Sequence, residues 1–455
     1  MRVFCNGASL LAALFGILQQ AVAASSTYFI TRAGGSILGG GPFLFWLALF
    51  LASLVAVFVP SFAWNFFLNK SKYRSFAACM DLCGRQLYNH PVLHSSRRFC
   101  EARQPYFHNQ CWGVVNEACD FFSDLLQVSC SVLFNVAVIS AMLDPLFLLG
   151  YSGSLAVAAA GLLLARRKAQ DLSRAAQERQ AHMQEALLSG WDTILTGNRC
   201  NFRAWRRAFD GRVRDAGRAQ QRAVVFSSAV NLATMALSVL PVAAVILHYF
   251  FTRRDDPQAL MMLAVTLPRQ VGIVQYLSTL IEYAMTLAGL AARIRQMEDA
   301  IKPPADTAPF CGRIRWDQLS LHSAAGQESC RSFADLSRGT RAFSPGRYTL
   351  RGPNGSGKST VLMQCKEQMG DAACYLPAAS SLYFDTTAHA GGSTGEKLLR
   401  QLRELLDSPD SAQVTVLLLD EWDANLDAGN VARVSSLLEQ TAAKKCVLEV
   451  LHRTL

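Results

Sequence analysis

Long uncharged apolar runs fill the chain up to residue 291, and beyond it short apolar runs alternate with segments of helical period. Six of the long runs reach the ~20 residues a helix needs to cross a bilayer. They are residues 8–30, 42–68, 121–143, 145–165, 224–250 and 258–291. The first, with Arg2 ahead of it and Ala21, Val22 and Ala23 inside it, also has the outline of a secretory signal and its cleavage site. We read it as a retained span, because apolar character resumes at Tyr28, Phe29 and Ile30. Residues 70–120 and 166–222 are polar, basic and helical in pattern, and predict helices that continue beyond the membrane. Residues 191–198 interrupt the second of these, either as a turn that contacts another domain or as a plain connection between helices.

After residue 313 the pattern predicts strands at 313–321, 347–351, 372–376, 414–420 and 446–451, and helices at 358–368, 394–407 and 430–443. That alternation argues for a parallel α/β sheet. Pro303, Pro304 and Pro309 stop the preceding helix and mark a linker. The expected organisation is a helical six-span domain over 1–302, a linker over 303–312, and an α/β domain over 313–455.

Composition agrees with this division. Of 455 residues, 51% are hydrophobic, high for a soluble enzyme. The net charge of +10 sits largely in the loops after the second and fourth spans. The loop after the third has no basic residue, and the one after the fifth balances Arg253 and Arg254 with Asp255 and Asp256. Basic loops stay cytoplasmic, so both termini are expected in the cytoplasm. This accounts for the charge without a nucleic-acid partner. The 13 cysteines show no disulfide framework. Cys79, Cys83, Cys100, Cys111 and Cys119, with His90, His94 and His108 among them, are irregularly spaced and read as free thiols rather than a metal site. In the sixth span, Arg269 and Glu282 either line a path through the membrane or, for Arg269, snorkel to the outer interface.

Residues 352–360, Gly-Pro-Asn-Gly-Ser-Gly-Lys-Ser-Thr, have the G-x-x-x-x-G-K-[ST] spacing of a phosphate-binding loop in Gly352, Gly357, Lys358 and Ser359. A strand precedes it and a helix follows. Backbone N–H groups would surround phosphate oxygens, Lys358 would reach the β/γ-phosphates, and Ser359 would hold Mg²⁺. About sixty residues on, the apolar run 414–419 ends in Asp420 and Glu421. A buried parallel strand delivers these to the sheet edge that carries the loop. Asp420 is then placed for Mg²⁺ and Glu421 for polarising an attacking water. Ser393 and Glu396 form a capping-box pattern on a Gly-rich helix start. It is either only a cap or an anion site for a nucleotide held by a second subunit.

With these motifs the chain resembles a six-span ATP-binding cassette (ABC) exporter half-transporter over nearly its whole length. The resemblance assigns 352–360 as Walker A, which adds Asn354, Gly355, Ser356 and Thr360 to the ATP-binding residues. It assigns 414–421 as Walker B with catalytic Glu421, and Ala424 to Asp427 as the D-loop. His452 looks like the switch histidine. Residues 392–396 are similar to the signature, keeping Ser393 and Gly395, and 313–322 looks like the first strand, with Ser323 where an adenine-stacking aromatic is expected. Ala378 stands in place of the Q-loop glutamine, the helical subdomain shrinks to 379–391, and Trp422 replaces the usual proline. A similar Asp-Glu-Trp occurs in exporters of siderophores and cyclic peptides. The resemblance implies a P-loop NTPase domain with a reduced helical subdomain. It implies Mg²⁺-ATP hydrolysis between two copies of the chain, driving export of a small molecule, peptide or siderophore-like substrate across the inner (plasma) membrane. A membrane-anchored ATP switch that regulates a partner and carries nothing is the alternative. With the Q-loop glutamine absent, the turn at 191–198 is expected to dock near 379–391.

Overall fold

The structure, a computed structural model, describes residues 2–91, 93, 103, 111–188, 190–303, 314–377, 382–385, 394–424 and 426–452. The helices are α1 (Gly7–Leu38), α2 (Phe43–Ala56), α3 (Phe58–Leu87), α4 (Cys111–Met142), α5 (Leu146–Leu188), α6 (Gly190–Thr196), α7 (Arg199–Thr252), α8 (Pro257–Ile301), α9 (Phe333–Gly339), α10 (Lys358–Met369), α11 (Thr394–Asp407) and α12 (Ala428–Ala442). The strands are β1 (Leu319–Ser323), β2 (Gly326–Cys330), β3 (Gly346–Arg351), β4 (Ala373–Leu376), β5 (Val416–Asp420) and β6 (Cys446–Val450). The chain divides into two compact units, Met1–Cys79 with Cys111–Met297, and Met80–Gln110 with Glu298–Leu455.

Among the described residues, six helical segments are long and apolar enough to cross a membrane. Each of the six expected runs falls inside one of them, overhanging its end by no more than one residue, and most of the helices continue well beyond the run. The second is broken at Val57 into α2 and α3. Pro60 explains the break, since it has no N–H for the carbonyl of residue 56 and its ring crowds that turn. In the first unit α5 and α7 lie antiparallel, and glycines allow the approach. A Cβ at Gly150 would meet Val245 at 3.0 Å, one at Gly153 would meet Pro241 at 3.2 Å, and one at Gly161 would meet Thr234 at 2.6 Å. Small residues at helix contacts substitute for the hydrophobic drive that lipid does not supply. The interruption expected at 191–198 is the short helix α6 followed by Gly197 at φ +66°. Trp191, Ile194 and Leu195 stand exposed on it.

In the second unit the sheet order is β2-β1-β3-β6-β5-β4. β3, β6, β5 and β4 are mutually parallel, as the alternation predicted. β1 is antiparallel to β3 and to β2, so the sheet is mixed rather than parallel throughout. The sequence pattern missed β2 because only Cys330 of its five residues is buried. An edge strand need show no apolar alternation. The central strands β5 and β6 are buried at every residue. Val416 and Leu418 pack with Val361, Leu362 and Cys365 of α10 on one face, while Leu417 and Leu419 pack with Leu402 of α11 and Leu438 of α12 on the other. Burial on both faces is why these strands read as continuous apolar runs. Most of the expected linker (304–312) and much of 379–391 lie outside the described residues, as do Arg313 and Ala378.

Candidate functional site

Because β3, β6 and β5 are parallel neighbours, their carboxyl ends share one edge of the sheet, where Arg351, Val450 and Asp420 end their strands. The 352–357 loop leaves β3 at that edge and enters α10. Gly355 (φ +81°) and Gly357 (φ +93°, the N-cap of α10) occupy the left-handed region that side chains disfavour. Gly352 is required for a different reason. A Cβ there would lie 2.8 Å from Ser356 Oγ and 2.9 Å from the Gln318 carbonyl. Ser356 is itself buried, and its carbonyl accepts from Arg315 N–H at 3.0 Å. The turn before β1 thus clamps the loop from below.

Lys358 Nζ donates to the carbonyls of Gly352 (2.8 Å) and Pro353 (3.2 Å), holding the ammonium over the loop. Asn354 and Gly355 are exposed at its tip, and Thr360 is buried in the first turn of α10. Ser359 Oγ donates to Asp420 Oδ1 at 3.0 Å, and the Tyr375 hydroxyl of β4 donates to Oδ2 at 3.0 Å. Burial pushes the Asp420 carboxyl up from its ordinary value, and the two hydroxyl bonds only partly offset this. The Tyr375 phenol is pushed up by burial and by Asp420. A serine hydroxyl beside a carboxylate is a hard oxygen pair that suits Mg²⁺.

Glu421 follows directly, at φ +43°, a conformation a non-glycine residue holds only where its surroundings enforce it. Its N–H donates to the Val450 carbonyl at 2.9 Å. His452 is exposed two residues beyond β6, and its N–H donates to Asp423 Oδ1 at 2.7 Å. These two bonds bring Glu421 and His452 to the same edge as Asp420 and the loop. Gly395 and Asp427 form a separate cluster. Asp427 caps α12 by accepting from Asn430 N–H at 2.8 Å, which holds its carboxyl below the usual range. A Cβ on Gly395 would lie 2.5–2.6 Å from the Asn430 side chain, so α11 and α12 touch there only because residue 395 has none. Gly392 and Ser393 lie outside the described residues.

Sequence reading missed three participants. Tyr375 left no signal in a four-residue strand. Asp423 sits in plain view after Asp420 and Glu421, but its link to residue 452 is long-range. Glu449 was detectable as the single charge in the buried run 446–450, which demands a partner. It accepts from Arg347 Nε at 2.8 Å and Nη2 at 3.1 Å, from Thr349 Oγ1 at 3.2 Å, and from Trp422 Nε1 at 3.0 Å. Trp422 is therefore an anchor for the turn that carries Glu421. No protein-family model and no curated protein matches the chain.

The state of Asp420 gives a pH test. A carboxyl whose pKa is raised on folding costs no stability below its unfolded value, here 3.8, and the cost grows as pH rises through the folded value. Asp420→Asn removes the charge and can keep both hydroxyl contacts, with one hydroxyl accepting from the amide Nδ2 instead of donating. Ligand-free, the variant is expected to unfold a few degrees above wild type at pH 7, with the gap closing toward pH 4. Thermal unfolding of the full chain in detergent between pH 4 and 8 measures this. A gap that widens on acidification would contradict it.

Proposed function

We propose that the chain is one half of an ATP-driven membrane exporter, acting as a homodimer in the inner (plasma) membrane with both termini cytoplasmic. The observation that carries this reading is the convergence of the 352–357 loop, Lys358, Ser359, Asp420 and Glu421 at one sheet edge, in a chain with six membrane-length helices. The N-terminus of α10 presents unpaired N–H groups to a phosphate. Lys358 would exchange its two loop carbonyls for phosphate oxygens. Ser359 and Asp420 would hold Mg²⁺, which when bound offsets phosphate charge. Glu421 would accept the proton of the attacking water, with His452 beside it. Gly395, Ser393 and Asp427 would face the nucleotide of the second copy. The test is phosphate release from Mg²⁺-ATP by the full chain in nanodiscs. A rate no higher than that of Lys358→Ala would overturn the reading.

One contact supports coupling through the first basic segment. Within the second unit the Tyr88 hydroxyl donates to Asp371 Oδ1 at 2.7 Å. Asn89 Nδ2 donates to the Glu367 carbonyl at 3.2 Å, and His90 Nδ1 lies 3.1 Å from Glu367 Oε1. These meet the carboxyl end of α10, whose other end carries Lys358 and Ser359. A rigid helix of twelve residues, about 18 Å long, thus joins the segment to the phosphate loop. In Tyr88→Phe with His90→Ala, ATP is expected to change hydrogen exchange in α1 and α8 by less than half as much as in the parent chain, with ATP binding retained. An unchanged exchange response would remove this contact from the coupling route.

A further inference from the structure

Arg269 projects from α8 toward α1 and α4 inside the first unit. Its Nε donates to Thr27 Oγ1 (3.1 Å) and Asn135 Oδ1 (2.9 Å), and its Nη2 to the Ala23 carbonyl (3.3 Å). Thr27 also donates to Asn135 Oδ1 at 2.9 Å, and Asn135 Nδ2 to the Ser131 carbonyl at 2.7 Å. Thr27 and Asn135 are 3% and 0% exposed. Every acceptor around the guanidinium is neutral, and among the described residues no carboxylate pairs with it and its Nη1 has no partner.

Depth decides what this means. Arg269 lies twelve residues into α8, about 18 Å from the helix start at Pro257. Its partner Thr27 lies eleven residues, about 16 Å, from the end of α1 at Leu38. The two helix ends pack together, since a Cβ on Gly39, the C-cap of α1, would sit 3.4 Å from the Gln258 side chain. Both counts place the guanidinium well inside a hydrocarbon layer of about 30 Å. It does not snorkel outward, because its fork is tied to α1 and α4. A guanidinium at that depth is costly without a counter-charge, and neutral acceptors orient it without neutralising it. Its free N–H donors form the planar fork that matches a carboxylate.

We propose that Arg269, oriented by Thr27 and Asn135, is the membrane-depth binding site for a carboxylate group of the transported molecule. This rests on the transport reading above, and it identifies the substrate class as an organic acid. The test uses the full chain in phosphatidylcholine nanodiscs without nucleotide, with N-dansyl-phenylalanine as the acid probe and its methyl ester as the neutral control. Fluorescence of empty nanodiscs is subtracted. The acid is expected to bind saturably and at least tenfold more tightly than the ester, and Arg269→Gln is expected to bring the acid down to the level of the ester. Absence of saturable acid binding, equal affinities for acid and ester in the wild type, or an unchanged acid affinity in Arg269→Gln would each overturn the proposal. The wild-type comparison of acid with ester stands even if the variant fails to fold. Lys358→Ala should leave this binding untouched, so failure of the ATP reading and failure of this site are told apart.

Discussion

Replacing Glu421 by Gln is expected to lower ATP turnover by ~10²–10⁴-fold while nucleotide binding persists. Gln fills the same volume and keeps the backbone geometry, but it cannot take a proton from water. The backbone at 421 is constrained on both sides. Its N–H is bonded to Val450 at 2.9 Å, and the neighbouring Trp422 is buried and bonded to Glu449. The substitution therefore tests the carboxylate and not the fold. Phosphate release by the full chain in nanodiscs, alongside titration with a fluorescent ATP analogue, measures both quantities. With Mg²⁺-ATP the variant should also accumulate as a dimer by mass measurement, because in the proposed homodimer unhydrolysed nucleotide would hold the two copies together. Near-normal turnover would take Glu421 out of the mechanism.

The largest expected stability loss comes from Arg347→Ala. Glu449 is 1% exposed, and Arg347 supplies its only counter-charge among the described residues, through two parallel N–H donors. Removing one partner of a buried pair costs roughly 3–5 kcal/mol, because the remaining charge stays desolvated. Thr349 and Trp422 still donate to Glu449, so the lower end, about 3 kcal/mol, is expected. Thermal unfolding of the full chain should show a shift near 10 °C, at about 2–4 °C per kcal/mol for a domain of this size. The double variant Arg347→Leu with Glu449→Leu should recover much of the loss, since apolar replacements leave no buried charge. An Arg347→Ala protein as stable as wild type would show that Glu449 needs no counter-ion.

Much of the candidate site was legible in the chain. The glycines at 352, 355 and 357 fall where the backbone turns left-handed or lacks room for a Cβ. The run 414–419 announced a strand buried on both faces, and its end placed Asp420 opposite Ser359. The loop and the strand are each local features, and their meeting across 61 residues was legible because a buried parallel strand delivers its carboxyl end to the sheet edge that carries the loop. Tyr375, Asp423 and Arg347 were not legible. Their partners are 45, 29 and 102 residues away, and nothing in their own neighbourhoods differs from ordinary surface or strand residues.

The order of apolar runs and the charge of the loops between them were sufficient, by themselves, to locate six membrane-length helices and a following α/β domain. Length and desolvation set those features, and both are properties of a segment alone. Strand direction was a different matter. Nothing in residues 319–330 says that β1 runs against β3, since register follows from which strands meet. The fate of Arg269 was likewise open in the sequence, between snorkelling and an inward site. Only the packing of α1, α4 and α8, which brings Thr27 and Asn135 to its fork from 242 and 134 residues away, turned a charge in an apolar run into an oriented one.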